Sequence, residues 1–174
     1  MNIFHQRFST GQVCHAANLP NATLQSWLKR NLVVGHRQIE GGGSPGVHRQ
    51  FSFFNVMELS IAKALTDMGL SASVALKAGQ KFAHAASGPI GRQPGRIPSV
   101  PFDSRKGWLT LLCVAGERVT EYRMTKPENG LDAEVSARVG HPGGIMVLEL
   151  SRVFERAVRV LGYDHMDVLA EAYD

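Results

Sequence analysis

"FSTGQVCHAANLPNATLQSWLKRN", residues 8–31, is the stretch that decides the fold. Ser9 precedes Gln12 by three residues, the spacing of a capping box. In that motif the serine oxygen accepts the Gln12 N–H and the glutamine side chain reaches back to the Ser9 N–H. Phe8 and Val13 sit where a hydrophobic staple would close around the cap. These signals predict a short helix over about Thr10 to Ala17. Asn18 to Pro20 forms a tight turn. Leu24, Trp27 and Leu28 then fall at i, i+3 and i+4, a helical apolar stripe. Trp27 belongs to that stripe and is therefore a core residue. Gln25, Ser26, Lys29 and Arg30 are left on the other side, and Asn31 can end the helix in the left-handed conformation. Two short helices across a tight turn, the second polar and basic outside, make the helix-turn-helix pattern.

Working outward, "LVVGHRQI" (32–39) and "GVHRQF" (46–51) read as two strands around a tip rich in turn residues. A hairpin of this kind is a wing. It would carry His36, Arg37, His48 and Arg49 near its glycine tip, and arginine's planar fork suits phosphate oxygens. A third helix runs from about Ser52 to Asp67, with Phe53, Val56, Met57, Leu59, Ile61, Leu65 and Met68 on two adjacent apolar sides. Gly69 stops it. Ser71 caps a fourth helix with Val74, Ala78, Phe82 and Ala85 at nearly regular spacing. No internal repeat is evident.

The chain has 174 residues, 44% of them hydrophobic, enough for a core. Its charge is unevenly divided. Residues 1–86 hold eight Lys/Arg against three acids, whereas residues 87–174 hold eleven against twelve. A basic half joined to a near-neutral one points to an anionic partner. Cys14 and Cys113 lie far apart in apolar surroundings and read as buried thiols rather than a disulfide framework. The longest apolar run, residues 108–115, is far shorter than the roughly 20 residues of a membrane span. The amino-terminal residues hold no signal-peptide core. A cytoplasmic protein with no membrane partner is expected.

Residues 87–107 carry four prolines and four glycines, a density that helices and central strands do not tolerate. They read as a linker or an extended crossing arm between a first domain at 1–86 and a second at 108–174. In the second, "WLTLLCVA", "ERVTEYRMT", "EVSARV" and "IMVLEL" read as short strands. Ser151 reads as the cap of a helix with Val153, Phe154, Ala157, Val158 and Leu161 inside, and Asp164 as the cap of a last helix. This α+β unit would serve self-association, or bind a protein partner or a small molecule. The overall class is α+β: four helices and a wing, then short strands and two helices.

Residues 8–86 resemble the winged helix-turn-helix domain of the MerR family of bacterial transcription regulators. The likeness rests on four fragments in order: Phe8, Ser9, Gly11, Gln12, Val13; then Thr23, Leu24, Trp27, Lys29; then Arg49, Phe51, Ser52, Asn55, Val56; then Leu65, Gly69, Leu70, Ser71. It implies a second helix in a major groove and a wing on the backbone. Gln25 and Ser26 replace the family's Arg and Tyr, and Asn55 replaces an Asp. The proline-rich stretch interrupts the family's long dimerising helix, and the cysteines of metal-sensing members are absent.

The resulting expectation is a double-stranded DNA-binding transcription regulator, nucleoid-associated, acting as a homodimer on an inverted repeat. Its DNA-binding residues are Thr23, Gln25, Ser26, Lys29, Arg30, Arg37, His48 and Arg49. No cofactor and no metal are implied. Enzyme motifs are missing: no phosphate-cradling Gly-Lys-Ser/Thr, no Gly-x-Ser-x-Gly elbow, no helical His pair. The alternatives are an architectural or recombination-directionality DNA-binding protein of the same fold, and an adaptor that sets its basic helix against an acidic protein.

Overall fold

The computed structural model describes residues 2–34, 48–88, 95–115, 118–124 and 144–174, the backbone alone over 118–124. It is an α+β arrangement: β1 (Arg7–Ser9), α1 (Thr10–Ala17), α2 (Asn21–Lys29), β2 (Gln50–Ser52), α3 (Phe53–Asp67), α4 (Ala72–His84), β3 (Leu109–Ala115), β4 (Arg118–Met124), β5 (Met146–Glu149), α5 (Leu150–Val160) and α6 (His165–Tyr173). No helix among the described residues is long and apolar enough to cross a membrane.

Helix boundaries follow local chemistry. Ser9 and Gln12 form the capping box of α1. Ser52 and Asn55 form a second one at α3. Each box follows a three-residue strand, and β1 pairs with β2 antiparallel so that Phe8 faces Phe51. Both phenylalanines are buried, as are Val13 and Val56, which stand four residues after the two cap serines. The pattern Phe-Ser-x-x-amide-Val therefore occurs twice, at 8–13 and 51–56, although no repeat is evident on first reading. Its two copies lie side by side in antiparallel strands, and each starts a helix. Ser71 caps α4 and Asp164 caps α6. Helix ends are equally local. Asn31 (φ 55°) follows α2, and Leu32 N–H returns to the Trp27 carbonyl. Gly69 (φ 101°) follows α3, with Leu70 N–H on the Leu65 carbonyl. Both are Schellman ends, which need a left-handed residue just past the cap.

Two expectations are corrected. First, Leu32 to Val34 do not begin a strand; the partner of β2 is β1. Strands of three residues are too short to show an alternating pattern. The rest of the expected wing, and the expected strand at 134–139, lie outside the described residues. Second, Ser151 does not cap α5. Glu149 holds the N-cap position, and Ser151 Oγ accepts the Thr110 N–H of β3 at 3.0 Å. The hydroxyl thus joins helix to sheet. Residues 95–107 pack as an arm against the end of α4. Arg96 is buried, and its guanidinium donates to the carbonyls of Phe82, Ala85 and Ile97 while lying 4.2 Å over the Phe82 ring. Ser99 Oγ donates to Ala83 O. A helix leaves its last carbonyls without intrahelical donors, and this arm supplies donors to α4.

One hydrophobic cluster spans both halves of the chain. It includes Val13, Leu24, Trp27, Phe51, Leu59 and Phe82 together with Val100, Leu112, Leu150, Phe154 and Val158. α3 lies at its centre, packed on α4, α1 and α5. The second sheet has the order β4-β3-β5, all neighbours antiparallel. Leu112 and Val114 turn one face of β3 into the main core, while Leu111, Cys113 and Ala115 form a second cluster on the other face. Both faces are covered, which explains a run that reads as continuously apolar. Burial pushes the Cys113 thiol up to about 11. Cys14 is half-buried rather than buried, and Met68 is exposed.

Candidate nucleic-acid interface

The turn between α1 and α2 is set by Asn18, whose left-handed backbone (φ 51°) directs the chain into Leu19 and Pro20. Leu19, Leu24, Trp27 and Leu28 are buried, so the inner face of α2 is fixed against the core. The opposite face presents Asn21, Ala22, Ser26, Lys29 and Arg30 to solvent, with Thr23 and Gln25 half-buried. No side chain caps the N-terminus of α2, where Pro20 is the N-cap residue. Its first N–H groups are open to water or to an anion.

Of the eight residues expected to touch DNA, seven are described; Arg37 is outside the described residues. Lys29, Arg30 and Ser26 share the exposed face of α2. His48 is exposed and Arg49 half-buried just before β2. The structure brings two of the expected residues into direct contact: Arg49 Nη1 donates to Gln25 Oε1. Gln25 Nε2 donates in turn to Asn21 Oδ1 at 3.0 Å. The Gln25 amide thus both donates and accepts within the protein, and a guanidinium from another part of the chain stands on the outer face of α2. Sequence reading placed both residues near DNA without finding this contact, because it joins side chains 24 positions apart.

Between α3, α4 and residues 32–34 lies a polar cluster around a buried carboxylate that sequence reading missed. Glu58 of α3 is fully buried. Its Oε1 accepts the Val34 N–H at 2.9 Å and the Gln80 Nε2–H at 3.3 Å. Its Oε2 lies 2.8 Å from His84 Nε2. Gln80 Nε2 also donates to the Leu32 carbonyl, and Asn55 Nδ2 to the Val34 carbonyl. A buried carboxyl is tolerated only when partners replace water, and here they come from α4 and from residues 32–34. The only available sign was an acidic residue inside an otherwise apolar helix pattern.

Among the described residues, the charged side chains at α2 and its contact Arg49 are basic. Among the described residues of the first half, the acids are Glu58, which is buried, and Asp67, which pairs with Lys63. In the second half, Arg105 bridges Asp103 and Asp174 at 2.8 and 2.9 Å and holds both carboxyls below the usual carboxylate range. Arg152 and Arg159 pair with Glu155. A cleft of about 170 Å³ there is bordered by Leu109, Glu149, Ser151 and His165. That is smaller than the roughly 300 Å³ at which small-molecule sites begin. No family model and no curated protein matches the chain.

Proposed function

We propose that the chain is a sequence-specific double-stranded DNA-binding transcription regulator with a winged helix-turn-helix of the MerR type. The observation that carries this reading is the outer face of α2. Ser26, Lys29 and Arg30 are exposed there, Gln25 brings Arg49 alongside, and no exposed acid other than the paired Asp67 occurs in the described first half. A cationic helix with a fixed inner face and a free outer one fits a major groove, which is wide enough to admit a helix. Lys29 and Arg30 bind phosphate and set register; the amino-terminal part of α2 lies against base edges. One such module covers few base pairs, so two copies on an inverted repeat give the required specificity.

The test is binding of the full chain to a random duplex pool, followed by titration of an enriched duplex across a range of salt. Affinity should fall with salt, and Lys29→Ala with Arg30→Ala should flatten the log–log slope by about two. Salt-independent binding, or none to any duplex, overturns the reading. The adaptor alternative predicts that duplex DNA fails to compete with an acidic protein for the same face.

A further inference from the structure

The geometry points to Gln25 as a positioning residue: it does not read DNA itself but holds Arg49 as the DNA-contacting group of this face. The inference rests on the DNA-binding reading above and assigns roles within it.

Gln25 is well placed on α2 to read an adenine, and a free glutamine amide would do so through its paired donor and acceptor. That pairing needs both functions of the amide. In the structure the donor is held by Asn21 Oδ1 and the acceptor by Arg49 Nη1. The amide keeps a second N–H and a second oxygen lone pair, but it is held from both ends within the protein and is not free to turn to a base edge without disturbing these contacts. Arg49 is in the opposite position. Gln25 occupies one of its N–H groups, and a guanidinium has further donors to offer in a planar fork. Anchoring one edge of the fork restricts the rotamers of a long side chain, so less freedom is lost when the other edge meets its target.

The chain Asn21–Gln25–Arg49 is also located where it counts. Asn21 is the first residue of α2, and Gln25 lies one turn on, so the guanidinium stands over the amino-terminal half of the helix. Base contacts of helix-turn-helix proteins come from that half. Two acceptors in duplex DNA match the fork: the O6/N7 edge of guanine and a phosphate's pair of oxygens. A planar guanidinium meets either one with two parallel bonds, whereas a lysine meets it only as a point charge.

The experiment is a double-mutant cycle in the full chain, using Gln25→Ala, Arg49→Ala and the double variant, read as affinity for an enriched duplex and for a scrambled one. Gln25→Ala should weaken specific binding about tenfold in the wild-type background and less than about twofold in the Arg49→Ala background. Arg49→Lys should behave like Arg49→Ala on the enriched duplex. A loss confined to the enriched duplex assigns the fork to guanine; an equal loss on both assigns it to phosphate. Independent, multiplicative losses overturn the inference while leaving the DNA-binding reading intact. Binding to no duplex by the wild-type chain sinks both. Thermal melting of each variant checks that losses in affinity are not losses of fold.

Discussion

Residues 32–34 and residues 48–50 flank the same stretch of chain, and they are fastened in opposite ways. The upstream side is held from within. The Val34 N–H and carbonyl are bonded by Glu58 and Asn55, the Leu32 carbonyl by Gln80, and Val33 is buried. The downstream side is held from outside. Arg49 reaches Gln25 on the surface of α2, and only at Gln50 does the chain join β1 through backbone pairing. On the upstream side the side chains of Glu58 and Asn55 are buried, where an orphaned polar group costs its full desolvation. Partners on the downstream side can turn to water when released. One side should therefore govern whether the fold forms, and the other what the folded surface binds.

The harshest way to break this contrast is Glu58→Ala. It removes the buried acceptor of the Val34 N–H and leaves a cavity beside Gln80 and His84. Destabilisation of roughly 3 kcal/mol is expected in urea unfolding. Glu58→Gln keeps an acceptor oxygen and should lose clearly less. If Glu58→Ala melts with the wild-type chain, the inner cluster does not hold residues 32–34, and the contrast fails.

Next in size is Gly79→Ala. α4 approaches α3 so closely that a Cβ on Gly79 would lie 2.5 Å from the Glu58 backbone oxygen. This approach lets Gln80 and His84, on the same helix, reach the Glu58 carboxyl. Alanine raises helix propensity by about 1 kcal/mol, but overpacking against rigid backbone costs about 1–3 kcal/mol. A net loss of about 1 kcal/mol in urea unfolding is expected. A gain in stability would show that the two helices can separate without disturbing the cluster.

Much of the first half was legible because its signals are local. A serine three residues before an amide, or a left-handed Asn or Gly after a helix, acts over one turn of chain, so Ser9, Asn31, Gly69 and Ser71 could be read correctly. What escaped reading is non-local. Arg96 sits among prolines and glycines, and nothing nearby shows that it bonds a carbonyl 14 residues upstream. Ser151 has the residue type of a cap, but Thr110, 41 positions away, claims its hydroxyl. Gln25 and Arg49 were each assigned to DNA separately, because no periodicity links them. The site was thus visible as a set of residues on a face, while the contact that orders them was not.

A subtler probe of the upstream side is Asn55→Asp, which installs the residue that the resembling family carries. An aspartate keeps the acceptors for the Ser52 N–H and hydroxyl, so the capping box survives. It loses the donor to the Val34 carbonyl, 3.1 Å away, and sets a carboxylate against that oxygen. A negative charge in the first turn of α3 recovers about 0.5 kcal/mol from the helix dipole. The lost donor costs about 1–3 kcal/mol, so a net loss near 1 kcal/mol is expected in chemical denaturation. An unchanged midpoint would mean that Asn55 serves only its cap.

The smallest effect on stability is expected from Arg49→Ala, and this variant tests the contrast from the other side. Arg49 is half-buried and its described bond goes to a half-buried glutamine. When the guanidinium is removed, Gln25 Oε1 can accept from water, so no orphaned group remains. Stability should stay within about 0.5 kcal/mol of wild type, as for other surface substitutions. Affinity for duplex DNA should nonetheless fall, by about tenfold if the fork reads one base pair. The decisive measurement sets the two effects side by side, with urea midpoint and duplex affinity taken on the same preparation. If Arg49→Ala costs as much stability as Asn55→Asp, the downstream side is also structural, and the surface of α2 must bind its partner through Lys29 and Arg30 without it.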